Sequence, residues 1–472
     1  MKWKWFRFLT CIVFLFFAAS THASPPNVVL ILADDLGWAD VGYHGGRVET
    51  PNIDRLAREG MRLENFHVNP LCSPTRAGLM TGRWPMRFGM MESVITPWRR
   101  YGLPVSERTL GDLMAEAGYA RRGVVGKWHL GHYKEDLLPL NRGFTHFYGH
   151  YNGALDYFTH VREGELDWHQ GFETCRDEGY STDLIGREAA RFIADSPGDE
   201  PFFLYVPFNA PHNPLQAKDA DIEKYVQIDD ERKRVYAAMI DSLDQAVGVI
   251  LDAIEAKGVV DDTCVLFMSD NGAVTQYGGD NGPWRSGKGS VYEGGIRVPA
   301  VMRWPGGGVS GGREVDGMMG IIDVYPTLKR IAEVEAEDSL PLDGLDMLDV
   351  IRGKADPPIR DWFSFIAQGK PEQIAVHDGT WKLVVQGGNV LAVSLDEVPN
   401  AMTVELYQLD EDPGESTNRA TDEPEIVGRL LERLKTFRAL KLDGIPGFRE
   451  GQKGFVAPTD WVIRDEPLKE AE

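Results

Sequence analysis

Four short apolar segments, separated by amphipathic ones, constrain the fold of this 472-residue chain more than any other feature of its sequence. Each is rich in Val, Ile, Leu and Phe and has the length of a strand that is buried on both faces. The segments between them carry apolar residues at helical spacing, and the longest stops at Gly258. This alternation predicts an α/β fold, with a large, mostly parallel mixed sheet flanked by helices. The predicted strands are 27–32, 122–126, 201–208 and 264–269.

The pattern changes after about residue 355. The segments WFSFIA, IAVHDGTWKLVVQ, NVLAVSL and TVELYQLD are typical of antiparallel strands joined by polar turns, and an amphipathic helical segment follows them. We therefore expect a large domain over 24–355, a smaller C-terminal subdomain with an antiparallel sheet and a helix over 356–440, and an extended tail over 441–472.

The first 23 residues have the pattern of a signal peptide. A basic start, MKWKWFR, precedes the apolar run FLTCIVFLFFAAS and a cleavage site after Ala23. The alternative is a membrane anchor, but the run is shorter than the roughly 20 residues that a membrane span needs. The sequence thus predicts an exported protein, periplasmic or secreted, with no membrane association once the signal is cleaved.

Charge and cysteine content exclude several classes of protein. Removal of Lys2, Lys4 and Arg7 with the signal would change the formal net charge from −22 to −25. Such a chain is not expected to bind nucleic acid, and an anionic ligand would need a local positive site. The three cysteines that remain are too few for a disulfide framework. Cys264 lies in an apolar run and is expected to be buried, whereas Cys175 lies in a polar loop.

Polar side chains follow each of the four predicted strands, at the point where the strand ends. Taken singly, each has an ordinary explanation as a helix cap, a turn residue or a solvated charge. Because ligands bind at the carboxyl edge of an open parallel sheet, their convergence there is more simply explained by a functional site. The residues are Asp34, Asp35, Lys127, His129, His212, Asp270 and Asn271.

Four of these residues form a candidate metal site. Asp34, Asp35, Asp270 and Asn271 offer only oxygen ligands, whereas zinc prefers nitrogen and sulfur. A hard cation, calcium or magnesium, fits better, and we favour calcium because it tolerates irregular geometry.

Two further segments supply candidate site residues. Cys72 lies just ahead of a predicted helix that begins near Ser73, with Pro74 in its first turn and Arg76 one turn on. The start of a helix favours anions, so this cysteine could face an anionic ligand, although a core cysteine is the alternative. In the glycine-rich segment SGKGSVYEGGIRVPA, the backbone can approach a ligand closely and Lys288 could point into the site.

Together these motifs resemble the type I sulfatases. The segment CSPTR, from Cys72 to Arg76, and the TGR that ends at Arg83 are similar to the family signature, and LILADDLGWADVG, VGKWHLG, APHNP, SDNGA and GKGSVYEGGIRVPA match in order. The resemblance covers nearly the whole mature chain and is greatest to the arylsulfatase B (N-acetylgalactosamine-4-sulfatase) branch. It implies an alkaline-phosphatase-like sandwich fold, a catalytic large domain and the hydrolysis of sulfate monoesters.

In this family a maturation enzyme oxidises the signature cysteine to formylglycine, whose hydrate is the nucleophile. The resemblance therefore implies that Cys72 becomes formylglycine, that the maturation enzyme is a partner, and that the modified residue faces one calcium ion held by Asp34, Asp35, Asp270 and Asn271.

The resemblance also implies a role for each remaining candidate. Lys127, Lys288 and His212 would contact the oxygens of the sulfate and of the leaving group, and His212 or Lys288 would protonate the latter. His129 would orient the hydrate and later take its proton, and Arg76 would hold the formylglycine in place.

Two alternatives stay open. One is a phosphonate or phosphodiester hydrolase of the same superfamily, and the other is a non-catalytic protein that binds sulfated glycans. The resemblance favours a sulfated small molecule or glycan as substrate, with specificity set by loops such as 98–101 and 150–160 and by the tail.

Overall fold

The computed structural model describes residues 25–394 and 397–464, which form a ten-stranded sheet, a four-stranded sheet, two small two-stranded sheets (β14-β3 and β6-β7) and ten α-helices. The ten-stranded sheet has the order β13-β2-β12-β11-β1-β10-β4-β5-β8-β9, and a four-stranded sheet has the order β15-β16-β17-β18. The strands are β1 (Asn27–Ala33), β2 (Met61–Leu63), β3 (Phe66–His67), β4 (Arg121–Lys127), β5 (His146–His150), β6 (Val161–Arg162), β7 (Glu165–Leu166), β8 (His169–Gln170), β9 (Glu173–Thr174), β10 (Phe202–Pro207), β11 (Thr263–Ser269), β12 (Ala300–Arg303), β13 (Arg313–Val315), β14 (Met319–Gly320), β15 (Trp362–Ile366), β16 (Gln373–His377), β17 (Trp381–Gln386) and β18 (Thr403–Gln408). The helices are α1 (Pro51–Glu59), α2 (Cys72–Thr81), α3 (Leu110–Glu116), α4 (Ser181–Asp195), α5 (Asp219–Ile222), α6 (Glu231–Lys257), α7 (Glu293–Ile296), α8 (Val324–Ile331), α9 (Leu348–Ile351) and α10 (Pro424–Arg438).

The centre of the large sheet is parallel. The four strands predicted from the sequence are β1, β4, β10 and β11, and they lie side by side with β5 in one parallel array. Antiparallel strands flank this array, since β12 pairs with β11 on one side and β8 pairs with β5 on the other. Every residue of β1, β10 and β11 is buried, which is why these strands are continuous apolar runs.

Helices cover both faces of this sheet. On one face, side chains such as Val29 and Ile31 of β1 pack in a cluster with α1, α4 and α6. On the other, Val28 and Leu30 belong to a second cluster with α2, α3, α8 and the small sheet. Alternate residues of one strand thus serve two cores, and the prediction of a doubly covered, mostly parallel sheet is confirmed.

The small sheet is antiparallel throughout, with α10 packed against it. Three of the four predicted segments supply its strands, but the prediction of a strand at NVLAVSL was wrong. In the described part of that segment, Val390–Ala392 forms a short 3₁₀ helix, capped by the Asn389 side chain, which accepts from the Leu391 amide at 3.0 Å. Asparagine competes for backbone groups in this way, and it overrides the β-propensity of the valines.

A buried charged cluster joins the four-stranded sheet to α7 and β3. Lys382 of β17 donates to Glu293 of α7 at 2.8 Å and lies 2.9 Å from Glu415. Glu293 also pairs with His67 of β3 at 3.0 Å, and its amide donates to Glu415 at 2.7 Å. Burial raises the pKa of Glu415 to about 7, whereas Lys382 holds the pKa of Glu293 well below its usual range against the effect of burial.

The C-terminal segment after α10 is irregular except for a 3₁₀ turn at Thr459–Trp461, where the Trp461 side chain is fully buried. The predicted signal peptide lies outside the described residues. Among the residues described, none of the helices is both long and apolar enough to cross a membrane.

Replacing Lys382 with methionine is predicted to destabilise the fold strongly. The substitution leaves two buried carboxyls without their cation, and breaking a buried pair costs about 3–5 kcal/mol. Lys435→Met is the control, because Lys435 pairs with Glu432 at the surface, where the cost is within about 1 kcal/mol. Urea unfolding measures both free energies, and equal values for the two variants would contradict the account.

Candidate active site

The predicted site residues meet at the carboxyl edge of the parallel strands. Asp34 and Asp35 follow β1, Asp270 follows β11, and Lys127 ends β4. Because β11, β1, β10 and β4 are neighbours in this order, residues from distant parts of the chain lie within hydrogen-bonding distance. The polar groups at one end of these strands therefore form a single site.

Four buried side chains that carry oxygen atoms form the floor of this site: Asp34, Asp35, Asp270 and Asn271. The amide of Asp35 donates to Asp270 at 3.3 Å, and the amide group of Asn271 donates to Asp35 at 2.7 Å. Among the described residues, Asp34 Oδ1 and Asn271 Oδ1 have no hydrogen-bond partner. Buried oxygens are normally satisfied, so these two are fitting ligands for a cation, as the donor set predicts.

The pKa values of two carboxyls in this floor, those of Asp34 and Asp270, are shifted in opposite directions. Burial and the neighbouring charge of Asp34 raise the pKa of Asp270 to about 7. Burial also acts on Asp34, but the charges of Lys127 and Arg76 hold its pKa well below its usual range. The two carboxylates repel each other in a site of low dielectric constant, and a divalent cation between them would relieve that repulsion.

Cys72 faces the same floor. Its Sγ atom and the carboxylate oxygens of Asp34 and Asp270 all lie within 4.8 Å of one another. Cys72 is the first residue of α2, so the predicted start near Ser73 was one residue late. Pro74 in the first turn lacks the amide hydrogen that a helix start leaves unused, and burial raises the pKa of the Cys72 thiol.

Arg76 and Lys127 connect the helix to the floor. The guanidinium of Arg76 donates to Asp270 at 2.8 and 3.1 Å and to the Lys127 carbonyl at 3.0 Å. The ammonium of Lys127 contacts Asp34 directly. Both cations are fully buried, so each depends on these carboxylates.

Lys288 and His212 lie at the more open side of the site, with 16% and 14% of their side chains exposed. Lys288 Nζ contacts both oxygens of Asp35, at 2.6 and 2.8 Å. His212 Nδ1 lies 2.6 Å from the Asn213 carbonyl, which directs Nε2 to within 3.8 Å of Asp35. Burial lowers the pKa of His212 to about 4.

His129 is held by backbone groups rather than by an acid. Its Nε2 lies 2.9 Å from the Ile95 carbonyl, while Nδ1 has no partner among the described residues. Burial and the charge of Lys127 keep the pKa of His129 well below its usual value, so the ring is neutral. The carbonyl can only accept, which puts the proton on Nε2 and leaves the lone pair on Nδ1.

The charges of this site cancel, whereas the whole protein is strongly negative. Three carboxylates, Asp34, Asp35 and Asp270, face three cations, Arg76, Lys127 and Lys288, and the two histidines are neutral. A divalent cation added to this set would make the site positive. An anion could then bind in spite of the formal charge of −22.

A second group of buried ligand atoms, His67, Glu293 and His377, also has the spacing of a metal site. The Lys382 ammonium already lies 2.8 Å from Glu293, however, and His67 pairs with the other oxygen of that carboxylate. These contacts make the group part of the charged cluster that joins the four-stranded sheet to α7 and β3.

Sequence reasoning missed three residues around His129. The Ser73 hydroxyl donates to the His129 carbonyl at 3.1 Å and accepts from the Ile95 amide at 3.0 Å. Gly153 is required for space, because a Cβ there would lie 2.4 Å from the His129 ring. Ser73 could have been noticed beside Cys72, but a backbone carbonyl such as that of Ile95 leaves no signal in a sequence.

Comparisons with known proteins agree with this geometry. The family model described as Sulfatase matches residues 26–334. Arylsulfatase J of Mus musculus is 32% identical in an alignment of 461 positions that covers 89% of this chain and 77% of that protein. Arylsulfatase A of Homo sapiens is 33% identical over 89% of this chain and 88% of its own length. The predicted similarity to the arylsulfatase B branch is not confirmed by these relatives.

Solved structures extend the comparison to the fold. The crystal structure of Ps i-CgsB in complex with k-i-k-neocarrahexaose matches with a TM-score of 0.81 and 29% identity, covering 91% of this chain and 96% of that chain. The prediction of an alkaline-phosphatase-like fold is thereby confirmed. With a family match over more than half of its length and relatives above 30% identity, the chain belongs to the sulfatase family and is a sulfuric ester hydrolase.

Proposed function

We propose that this sulfatase removes sulfate from carbohydrates, with Cys72 matured to formylglycine and one calcium ion at the adjacent carboxylates. The observation that carries the proposal is the approach of Cys72 Sγ to the carboxylate oxygens of Asp34 and Asp270, all within 4.8 Å. A modified side chain at position 72 would thus stand beside a metal held at that floor. The relative that is in complex with k-i-k-neocarrahexaose supports a carbohydrate substrate.

The calcium ion would be held by Asp34, Asp35, Asp270 and Asn271, together with the modified residue 72. Two of these residues have buried oxygens that lack partners among the described residues, and the set contains only hard oxygen donors. When bound, the ion supplies Lewis-acid stabilisation of negative charge on the sulfate oxygens, which is worth several kcal/mol. Arg76 would keep Asp270 oriented through its two hydrogen bonds.

Lys127 and Lys288 would bind the sulfate oxygens from two sides of the floor. A sulfate ester loses a poor leaving group, so its oxygen needs a proton as the bond breaks. Lys288 carries such a proton as an ammonium at the more open side of the site. His212 is the second candidate, although the neutral ring has its proton on Nδ1, which faces the Asn213 carbonyl, and would first have to gain one on Nε2.

His129 would act as the base that takes a proton from the hydroxyl group of residue 72. Its free Nδ1 lone pair suits that role, because the Ile95 carbonyl fixes the other nitrogen as a donor. Because the ring is neutral, it is able to accept a proton.

We also propose export of the protein, to the periplasm or the medium, and maturation by a formylglycine-generating enzyme. The signal-like start of the sequence and the CSPTR segment support these two proposals. Edman sequencing of the exported protein would show whether the mature chain begins after Ala23.

Cys72→Ala is predicted to leave the fold intact and to lower kcat on the order of 10⁴-fold or more, because the nucleophile is lost. Cys175→Ala is the matched control, since the half-buried Cys175 lies outside the site, and its kcat should change by less than about twofold. Mass spectrometry of the peptide spanning residue 72 should show formylglycine in the native host. Turnover by Cys72→Ala would refute the nucleophile assignment.

Removing the metal is predicted to abolish turnover. Asp270→Ala should lower kcat/KM by at least about 10³-fold, because several kcal/mol are lost at about 1.4 kcal/mol per factor of ten. Asp252→Ala, which removes an exposed carboxylate on α6, should have little effect. After the metal has been removed with a chelator, added calcium should restore more activity than added magnesium. Inductively coupled plasma mass spectrometry of the untreated protein should find one calcium per chain. Full activity in metal-free protein would contradict the proposal.

The substrate class can be tested with matched esters. We expect sulfated mono- and oligosaccharides to be hydrolysed with a higher kcat/KM than an aryl sulfate, and a sulfate ester to be preferred over the corresponding phosphonate ester. Preference for the phosphonate would instead support a phosphonate hydrolase, and binding of sulfated glycans without turnover by matured protein would support a glycan-binding protein.

A further inference from the structure

The segment after α10 packs across a loop that reaches the active site. We call residues 441–464 the tail and residues 93–99 the support loop. Arg99 is buried, and its guanidinium donates to the Pro446 carbonyl of the tail at 2.7 Å and to the Ser93 hydroxyl at 2.6 Å. Neither acceptor carries a charge, so the buried cation depends on the precise fit of tail and loop.

A second contact lies beside the first. Trp98 Nε1 donates to the Phe448 carbonyl of the tail at 3.1 Å, and the Trp98 ring meets the rings of Phe448 and Phe455 edge to face. Two consecutive residues of the support loop thus bind the tail through polar and aromatic contacts.

The support loop in turn holds two histidines. The Ile95 carbonyl accepts from His129 Nε2 at 2.9 Å, and the Pro97 carbonyl lies 3.1 Å from His132 Nε2. The Ile95 amide donates to Ser73 in the first turn of α2, next to Cys72. A shift of this loop would therefore move the one hydrogen-bond partner that the His129 ring has among the described residues.

The far end of the tail is anchored on the β6–β7 hairpin and on His132. Trp461 Nε1 donates to the Arg162 carbonyl at 2.9 Å, and the Trp461 ring packs edge to face on His132 at 5.2 Å. The Asp460 amide donates to Glu165 at 2.9 Å. The tail is thus fixed at one end by α10 and at the other by the contacts of Asp460 and Trp461. The part between these ends can therefore hold the support loop in place.

We propose that the tail is a positioning element for catalysis, and that Arg99 and Trp98 are positioning residues that act through the Ile95 carbonyl on His129. This inference rests on the proposed role of His129 as a base. If the support loop loosens, the Ile95 carbonyl no longer keeps the proton of the His129 ring on Nε2. The lone pair on Nδ1 is then no longer fixed in place, and neither is the orientation of the ring. A merely structural role for the tail would change stability and leave His129 unaffected.

The first arm of the test does not use activity. Deuterium exchange at the imidazole C2 position of His129 is measured by mass spectrometry in full-length protein that carries the unmodified Cys72 thiol. Arg99→Ala should increase that rate at least threefold, together with amide exchange in the peptide covering 93–99. Arg303→Ala is the control, because Arg303 is an equally buried arginine on β12, paired with Glu59 on the other side of the sheet. It should leave both rates unchanged.

The second arm uses matured enzyme. Arg99→Ala should lower kcat about tenfold without raising KM, because substrate-binding groups such as Lys288 stay in place, and Arg99→Lys should recover part of kcat by restoring a donor to Pro446. If Arg99→Ala does not fold, Trp98→Phe is the second variant: it keeps an aromatic ring, loses the N–H donor to Phe448 and part of the ring packing, and should shift His129 exchange in the same direction.

Unchanged His129 exchange in a folded Arg99→Ala or Trp98→Phe variant would overturn the proposal, and so would an equal increase in Arg303→Ala. A different result would refute the proposed function: matured wild-type protein that does not hydrolyse sulfate esters. The exchange measurement on His129 does not depend on that result, because it uses protein with the unmodified Cys72 thiol.

Discussion

Three buried carboxylates at one sheet edge are the constraint on which the rest of the structure depends. Asp34, Asp35 and Asp270 cannot lie together in a low-dielectric site unless cations compensate them. Each of the neighbouring elements supplies one: α2 brings Arg76, β4 brings Lys127, and the glycine-rich loop brings Lys288. The order of the parallel strands makes this possible, because it places the ends of β11, β1 and β4 close together. The same arrangement brings Cys72 against the carboxylates, so the electrostatic compensation and the placement of the candidate nucleophile share one geometry.

Much of this could be predicted from the sequence, for identifiable physical reasons. Strands buried on both faces must be apolar throughout, so β1, β10 and β11 are recognisable in the sequence as apolar runs. The first polar residues after β1 and β11, Asp34 and Asp270, mark where these two strands end. Parallel strands share their carboxyl edge, so the meeting of these residues follows from the fold class alone. The long helix α6 was equally clear, since its apolar spacing stops at Gly258, which adopts the left-handed conformation.

What the sequence could not reveal depends on tertiary contacts. The segment NVLAVSL has β-propensity, yet Asn389 caps a 3₁₀ turn at Val390–Ala392, and this turn packs against α10. The tail has little periodicity, so its contacts with Trp98, Arg99 and Arg162 were not predictable. The carbonyl of Ile95 is a backbone group that any residue could supply, although it is the partner of the His129 ring. Support for catalytic side chains is thus less visible in a sequence than the side chains themselves.

The account depends most directly on a cation held between the carboxylate floor and residue 72. Anomalous X-ray diffraction from crystals of matured protein grown with calcium tests this claim. We expect one ion at about 2.3–2.6 Å from oxygens of Asp34, Asp35, Asp270 and Asn271, with the formylglycine side chain directed at it. An ion bound instead at His67, Glu293 and His377, or a residue 72 that points away from the floor, would contradict the account.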